Sequence, residues 1–304
     1  MNNLLIGDCR NILPTLETKS VQCVVTSPPY YNLRDYGVTS QIGQEATYQE
    51  YIENIVDVFR EVKRVLKDDG TVWLNLGDSY AGSGQGGNFG KNKKLKSMTP
   101  LKQTPLAGLK KKDLIGIPWR VAFALQEDGW YLRQDIIWHK PNVMPEAVKD
   151  RCTKSHEYIF LLSKSKNYYF DAEAIKEPVV SIKGNNKTFR NGGVYTKGQS
   201  YFNSKKIEAE THGNKPNESG KRNKRDVWTI PTHPYKGAHF AAFPLKLVIP
   251  CVLAGTREGD VILDPFFGSG TVAEAAALLN RNWLGIDINP DYEPLYKQRL
   301  VLFA

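Results

Sequence analysis

The sequence predicts an α/β protein built on an open, twisted sheet that is mixed but mostly parallel. Short apolar runs of strand character alternate with stretches that carry apolar residues at helical spacing. Two of these runs stop abruptly at proline or glycine turns, as strands do at the carboxyl edge of an open α/β sheet. With 304 residues, of which 41% are hydrophobic, the chain can also bury a sizeable core.

The first 80 residues predict three strands and one long helix. Apolar residues between 51 and 66 repeat at helical spacing, and the pattern ends at Asp68-Asp69-Gly70, so this stretch predicts an amphipathic helix. The polar stretch 31–49 before it predicts a loop. The predicted strands are short apolar runs at 3–6, 21–25 and 71–76.

The remaining chain predicts further elements of both kinds. A proline at the first turn favours a helix that begins at Pro118. The predicted helices cover 118–128, 243–254 and 272–279, with a last helix that runs through 300. The predicted strands cover 130–138, 156–163, 261–263 and 283–286.

Positive charge is concentrated in two polar segments. The formal net charge is +9 and the isoelectric point is near 9.2. Residues 91–112 contain eight lysines and no acid, and residues 176–226 contain twelve lysines or arginines against five acids. Each segment alone is compatible with a solvated surface. Together, on an otherwise acidic chain, they predict an anionic partner, with nucleic acid as the first candidate.

Cysteine usage and hydropathy indicate a cytoplasmic protein without structural zinc. The four cysteines are isolated, and no Cys-x-x-Cys pair is present. This pattern favours a reducing compartment and predicts no metal site. No signal-peptide pattern or apolar run of membrane-spanning length is visible, so no membrane partner is expected.

A stiff turn follows the predicted strand 21–25. Two consecutive prolines remove hydrogen-bond donors and fix the backbone of Ser27-Pro28-Pro29-Tyr30. The Ser27 hydroxyl and the Pro28 carbonyl offer two acceptors to one amino group, and the Tyr30 ring can stack on a flat ring. The turn could thus bind an aromatic amine. The alternative is an ordinary Pro-Pro turn.

A second turn connects the predicted strand 261–263 to a helix. Its sequence is Asp264-Pro265-Phe266-Phe267-Gly268-Ser269-Gly270-Thr271. The glycines allow a ligand to approach the backbone closely, and the helix start offers free N–H groups. Asp287, at the end of the next predicted strand, can accept hydrogen bonds from ribose hydroxyls. Because the turn lacks a basic residue for phosphates, it favours a nucleoside with a neutral or cationic tail.

These motifs resemble those of S-adenosylmethionine-dependent DNA methyltransferases that modify amino groups, in the permuted β-type arrangement. The family's catalytic motif, (D/N/S)-PP-(Y/F/W), matches Ser27–Tyr30, and its cofactor motif matches 264–271. The segment 239–244 is similar to the family's entry into a cofactor-side helix. The resemblance implies a Rossmann-like methyltransferase fold. In the β order the catalytic motif comes first, so Gly7-Asp8 should lie beside the cofactor.

The resemblance also implies roles for individual residues. Asp8 would accept a hydrogen bond from the adenine amino group of S-adenosyl-L-methionine. The implied catalytic residues are Ser27, Pro28, Pro29 and Tyr30. The implied cofactor-binding residues are Asp8, Phe243, Pro244, Asp264, Pro265, Phe266, Gly268, Ser269, Gly270, Thr271 and Asp287.

The resemblance spans nearly the whole chain except the two basic segments, and this suggests a domain division. Residues 1–166 and 227–304 are expected to form the catalytic domain, in which 81–112 is a mobile basic loop. The sequence GSGQGG in that loop does not match the phosphate-binding loop pattern. Residues 167–226 are expected to form an inserted target-recognition region that binds double-stranded DNA, the alternative being a plain surface insertion.

The resemblance leaves two candidates for the target base. Serine in the first catalytic position is similar to the N4-cytosine enzymes of the family, whereas aspartate is usual in the N6-adenine enzymes. N4 of cytosine is therefore the first expectation and N6 of adenine the second. Methylation of RNA or of a protein amide, and a DNA-binding regulator without catalysis, are further alternatives. A cognate restriction endonuclease and a homodimer are open partners.

Overall fold

The computed structural model describes residues 2–33, 36–38, 40–82, 108–179, 220–232 and 243–301. They fall into two compact units, one of Met1–Ala174 with Arg225–Ala304 and one of Ile175–Lys224. Most of the predicted basic loop 81–112, much of the predicted insertion 167–226 and residues 239–242 lie outside the described residues. Residues 168–171 of the predicted insertion belong to the larger unit, where the Asp171 amide donates to the Ala254 carbonyl at 2.9 Å.

The larger unit is built on a sheet of eight strands in the order β1-β10-β9-β2-β3-β5-β4-β8. Five of the seven neighbouring pairs among these described strands are parallel, and the β3–β5 and β4–β5 pairs are antiparallel. The predicted mixed, mostly parallel sheet is therefore confirmed. The strands of the described chain are β1 (Asn2–Ile6), β2 (Val21–Thr26), β3 (Leu66–Leu76), β4 (Tyr131–His139), β5 (His156–Ser163), β6 (Glu177–Pro178), β7 (Lys221–Arg222), β8 (Val227–Thr229), β9 (Val261–Asp264) and β10 (Asn282–Asp287).

Helices cover the sheet and bury their apolar stripes. The longest, α2, begins with a capping box in which the Thr47 hydroxyl and the Glu50 carboxylate each accept from the other residue's backbone N–H. Its inward side chains, such as Ile55 and Phe59, are fully buried, as the helical spacing predicts. The helices are α1 (Cys9–Ile12), α2 (Tyr48–Val65), α3 (Ile117–Glu127), α4 (Leu245–Gly255), α5 (Thr271–Leu278) and α6 (Glu293–Leu300).

The strand order places distant parts of the chain side by side. β1 and β2 are consecutive in sequence, yet β10 and β9 lie between them in the sheet. Val24 of β2 pairs with Leu263 of β9, and Ile6 of β1 pairs with Asp287 of β10. Because these pairs are parallel, the carboxyl ends of four strands meet at one edge of the sheet, where open α/β folds bind ligands.

Some element boundaries differ from the prediction. The helix α2 ends at Val65, and β3 begins directly at Leu66 instead of at residue 71. A Cβ atom at Gly70 would lie 2.6 Å from the Leu66 side chain, so a larger residue at position 70 would clash with Leu66 in the early part of this strand. The strand β8, which contains the buried Trp228, was not predicted because it is only three residues long.

The described residues contain no helix that is long and apolar enough to cross a membrane. Within the same ranges, no group of three or more histidine, cysteine, aspartate or glutamate side chains is placed to hold a metal ion.

Candidate active site

A buried hydrogen bond joins the two predicted turns. Thr26, the last residue of β2, donates from its hydroxyl to the Asp264 carboxylate at the end of β9, at 2.7 Å. Both residues are buried, with exposed fractions of 0% and 1%. Since Ser27 follows Thr26 directly, this bond fixes the Ser-Pro-Pro-Tyr turn beside the glycine turn, although the two motifs lie more than 200 residues apart.

Both turns face one cavity of about 660 Å³. This volume lies within the usual range for small-molecule sites, about 300–1,000 Å³. Two predicted site residues, Pro244 and Gly270, are not among those that line it, and they directly precede α4 and α5. The predicted residues that line the cavity are Asp8, Ser27, Pro28, Pro29, Tyr30, Phe243, Asp264, Pro265, Phe266, Gly268, Ser269, Thr271 and Asp287.

The Tyr30 side chain holds the Ser-Pro-Pro-Tyr turn in place. Its hydroxyl donates to the Glu157 carboxylate at 2.8 Å, and it accepts from the Ser27 hydroxyl at 3.4 Å. Burial, together with the nearby charge of Glu157, raises the pKa of Tyr30, so the phenol stays protonated. A Cβ atom at Gly77 would lie 2.4 Å from the Tyr30 ring, so this glycine lets the ring pack against the end of β3.

Three polar residues of the cavity wall were not singled out from the sequence. Asn75 at the end of β3 donates to the Tyr158 carbonyl at 3.0 Å. Glu157 of β5 forms an ion pair with Lys140, and each side chain is only 16% exposed. The Lys140 ammonium also lies 4.1 Å from the centre of the Trp138 ring. The sequence offered one signal for Lys140 and Glu157, which is a charged residue close to the end of an apolar strand. Such charges are common, so they do not identify a site.

The glycine turn is shaped by the Asp287 carboxylate. One carboxylate oxygen accepts from the Gly268 amide at 2.6 Å, and the other accepts from the Asn289 amide at 2.9 Å. The side chain is mostly buried, and this burial raises the pKa of Asp287. Gly285 leaves room for the Phe267 ring, because a Cβ atom there would lie 2.2 Å from it. The Phe267 ring therefore packs the turn against β10, and residues of the turn line the cavity.

Asp8 lies beside this turn, at the end of β1. The Gly7 amide donates to the Asp287 carbonyl at 2.8 Å, so the N-terminal strand brings Asp8 to the cavity. The Asp8 carboxylate accepts from the Arg10 guanidinium at 2.5–3.1 Å. Although burial opposes ionisation, these hydrogen bonds keep the pKa of Asp8 below its usual value. Any ligand amine that binds Asp8 would share its carboxylate with Arg10.

The charges around the cavity favour a cationic ligand over a phosphate. Lys140 is the one basic residue among the described residues that line it, and Glu157 already pairs with it. Three acidic side chains line the half that contains the glycine turn, and they are Asp8, whose pKa is lowered, and Asp264 and Asp287, whose pKa values are raised by burial. A nucleoside with a positively charged tail fits this surface, because a carboxylate can accept from hydroxyls and amines and attracts a cation.

Asp264 makes native stability dependent on pH. Burial raises the pKa of this carboxyl to about 7, although hydrogen bonds from Thr26 and the Phe266 amide favour the charged form. The folded chain therefore keeps a proton that the unfolded chain releases near pH 4, and stability falls as pH rises from about 4 to about 7. The substitution Asp264→Asn removes the charge but keeps an acceptor oxygen. Between pH 4 and pH 8 we expect the variant to gain up to about 4 kcal/mol relative to the wild type.

Urea unfolding at the two pH values measures this difference. Asp291→Asn is the matched control, because Asp291 is exposed and its substitution should leave the difference from wild type unchanged with pH. An Asp264→Asn variant whose difference from wild type is the same at pH 4 and pH 8 would contradict a buried, protonated carboxyl.

The fold and the cavity together indicate a class of enzyme. A mostly parallel sheet positions the Ser-Pro-Pro-Tyr turn next to the glycine turn on one cavity, and a nucleoside-dependent group transferase requires two such neighbouring surfaces. A family model described as DNA methylase, N6_N4_Mtase, matches residues 21–298, and the chain belongs to this family. The protein is therefore a DNA amino-methyltransferase whose cofactor is S-adenosyl-L-methionine.

Curated relatives match over almost the whole chain. The Type II methyltransferase M.SmaI of Serratia marcescens is 48% identical over 98% of this chain and 90% of its own length. The Type II methyltransferase M.Cfr9I of Citrobacter freundii is 46% identical over 98% of this chain and 87% of its own length. The DNA methylase family leaves no support for the alternatives of a silent regulator or of an RNA or protein methyltransferase.

Two solved structures share the fold at low identity. The cytosine-N4-specific PvuII DNA methyltransferase superposes with a TM-score of 0.65 at 18% identity, and covers 99% of this chain and 86% of that one. A DNA modification methylase of Thermus thermophilus, complexed with S-adenosyl-L-methionine, superposes with a TM-score of 0.59 at 23% identity, and covers 99% of this chain and 94% of that one. The Rossmann-like methyltransferase fold is thereby confirmed.

Proposed function

We propose that the protein methylates N4 of cytosine in double-stranded DNA, at a base that has been turned out of the duplex. The observation that carries the proposal is the position of Ser27. Its hydroxyl lines the cavity directly beside the Thr26–Asp264 bond that holds the glycine turn. A base amine bound at Ser27 would therefore lie close to a cofactor bound at the glycine turn.

The Ser-Pro-Pro-Tyr turn would activate the amine. The Ser27 hydroxyl oxygen and the Pro28 carbonyl would accept hydrogen bonds from the two amino N–H groups, which draws electron density onto nitrogen. When the nitrogen takes up the methyl group, it would release one proton to water. The Tyr30 ring would stack on the base, supported by Gly77 and by its bond to Glu157. When bound, S-adenosyl-L-methionine supplies an electrophilic methyl group on a cationic sulfur. Orientation by the rigid turn provides much of the rate enhancement in such a reaction.

The glycine turn and its neighbours would bind the cofactor. Asp287 would accept from the ribose hydroxyls with the lone pairs that the Gly268 and Asn289 amides leave free. Asp8 would accept from the adenine amino group while it remains bound to Arg10. The backbone from Asp264 to Thr271 would approach the methionine portion. These roles agree with the excess of carboxylates in this half of the cavity.

Two features favour cytosine over adenine. The first is the neutral hydroxyl of Ser27 at the amine-binding position. The second is the Lys140 ammonium on the cavity wall, paired with Glu157 at the hydroxyl of Tyr30. Cytosine presents a carbonyl oxygen two ring positions from its amino group, where adenine presents only a C–H group. A cationic donor on the wall would stabilise the carbonyl.

Expression in a host that lacks DNA methylation tests the proposal. Mass spectrometry of the digested DNA should show N4-methylcytosine, and genome-wide sequencing of modified bases should place it in one sequence context. N6-methyladenine instead would overturn the choice of base but leave the enzyme class intact. The host that carries the empty vector gives the background, and neither modified base above this background would overturn the proposed activity.

Sequence recognition is proposed for the insertion 167–226, which was predicted from its charge. In the smaller unit, Glu177–Pro178 pairs antiparallel with Lys221–Arg222, and the Arg222 guanidinium donates to Glu177 at 2.9 Å. The twelve basic residues of 167–226 suit contacts to DNA phosphates. The Type II relatives make a cognate restriction endonuclease the partner to look for beside the coding region.

A further inference from the structure

A single apolar side chain stands exposed at the rim of the cavity. Met144 is 84% exposed, the highest fraction among the large hydrophobic residues that the structure describes. It lies in the connection between β4 and β5, and it is one of the residues that line the cavity. Met144 therefore borders the place where Ser27 and Tyr30 would receive the target base. Exposure of so large an apolar side chain costs free energy in the isolated protein.

The backbone around Met144 is held firmly. Pro141 and Pro145 flank the segment, and a residue before proline is restricted to extended conformations. The Asn142 side chain donates to the Thr232 carbonyl at 2.8 Å and accepts from the Thr232 amide at 2.9 Å. This pair attaches the segment to the chain that follows β8. The exposure of Met144 is thus a fixed feature of the rim.

Basic side chains occupy the same connection. Lys149 is exposed, and Lys154 donates to the Asp78 carbonyl at 3.1 Å. Arg151 lies 4.2 Å from the centre of the Tyr80 ring. Arg151 also pairs with Glu146, and Lys154 is partly buried. The exposed Lys149 is therefore the side chain of this connection that suits contact with the phosphate backbone while the apolar group reaches between the bases.

A base that leaves the duplex leaves a gap in the stack. Proteins that unstack DNA commonly insert an apolar side chain such as methionine between base pairs. Filling the gap offsets part of the cost of removing the base, and that cost is lowest when the base is unpaired. Met144 combines the required chemistry, exposure and position, since it lies at the mouth of the cavity that would receive the removed base.

We propose that Met144 enters the base stack and occupies the space of the extruded target base. The inference rests on the proposed extrusion of the base, but it holds for cytosine and adenine alike. Met144 would act on the extrusion step and would contact neither the cofactor nor the reacting nitrogen, so its role is distinct from that of the Ser-Pro-Pro-Tyr turn.

Met144→Ala tests the inference with two oligonucleotide substrates that carry the methylated sequence found in the genome. In one duplex the target base is paired, and in the other its partner is replaced by an abasic site. We expect kcat/KM on the paired duplex to fall by about 10- to 100-fold, because extrusion loses its compensation. On the abasic duplex, where extrusion costs less, the wild-type to variant ratio should shrink to about threefold or less.

Matched variants separate this role from a general surface effect. Met144→Leu should stay within about threefold of wild type on both substrates, since leucine also fills the gap. Val148→Ala, in the same connection at 38% exposure and away from the cavity, should leave both rates unchanged. Calorimetry should give wild-type affinity for S-adenosyl-L-methionine in every variant.

Two results would overturn the inference. One is an equal loss on the paired and abasic duplexes, and the other is wild-type activity of Met144→Ala on both. Failure of the proposed function is recognised separately, because the wild-type protein would then methylate neither duplex.

Discussion

Replacing Ser27 by alanine should lower kcat for methyl transfer by about a hundredfold or more, since a positioned group that stabilises the transition state typically contributes this much. The side chain lies on the cavity wall next to the bond between Thr26 and Asp264, and its hydroxyl donates to Tyr30 at 3.4 Å. Loss of the hydroxyl removes one acceptor for the amine but leaves the Asp287 contacts intact. Single-turnover methylation of a DNA duplex measures the rate, and calorimetry should show unchanged cofactor affinity.

Ser27→Asp is the informative companion variant. Aspartate restores an acceptor at this position and is the residue that the related catalytic motif also uses, so we expect it to regain part of the lost activity. If Ser27→Ala turns over at the wild-type rate, or if it loses cofactor binding to the same extent as activity, the assigned role of Ser27 is wrong.

Replacing Asp287 by alanine should weaken S-adenosyl-L-methionine binding by about a hundredfold, or roughly 3 kcal/mol, as expected for lost hydrogen bonds to a charged group. Two effects act together. The ribose hydroxyls lose their acceptor, and the Gly268 and Asn289 amides lose the carboxylate that orders the turn. Calorimetric titration of the purified protein with the cofactor gives the dissociation constant directly.

The conservative variant Asp287→Asn distinguishes these effects. Its amide oxygen can replace one carboxylate oxygen, so one of the two backbone bonds survives and affinity should fall less than in the alanine variant. Equal affinity of wild type and Asp287→Ala would refute the cofactor role of Asp287, whatever the effect on methylation.

Local chemistry made much of the fold predictable from the sequence. The Val21–Thr26 strand is buried along its whole length, and such strands appear in sequence as continuous apolar runs. The two prolines after it and the glycines 268 and 270 mark where strands end, because their backbones cannot continue a ladder in the ordinary way. The helix Tyr48–Val65 carries its start signal in Thr47 and Glu50.

Long-range contacts were beyond the reach of sequence patterns alone. No local signal specifies that the Thr26 hydroxyl binds Asp264, because the partners are 238 residues apart. The family resemblance implied only that Gly7-Asp8 should lie beside the cofactor, and the placement of β9 and β10 between β1 and β2 was not predicted. The ion pair between Lys140 and Glu157 depends on two antiparallel strands meeting in register, with His139 opposite His156.

The exposure of the Met144 side chain could not be predicted from the sequence either. Met144 follows Val143 in a short apolar run that ends at Pro145, and a methionine is more often buried than exposed. Pro141 and Pro145 restrict the backbone of this segment, but the segment is positioned at the cavity by the hydrogen bonds between Asn142 and Thr232, which no sequence pattern predicts.

The strand order has a consequence for synthesis of the protein. A ribosome makes β1 and β2 early, but the two strands that separate them in the finished sheet are made only after residue 260. Until then, the early strands lack neighbours on the edges that β9 and β10 will occupy, and non-local pairing of this kind slows folding. A nascent chain that already contains its Ser-Pro-Pro-Tyr turn therefore lacks the neighbouring glycine turn until β9 and β10 have been made, so the cavity between the two turns forms only when these late strands join the early ones.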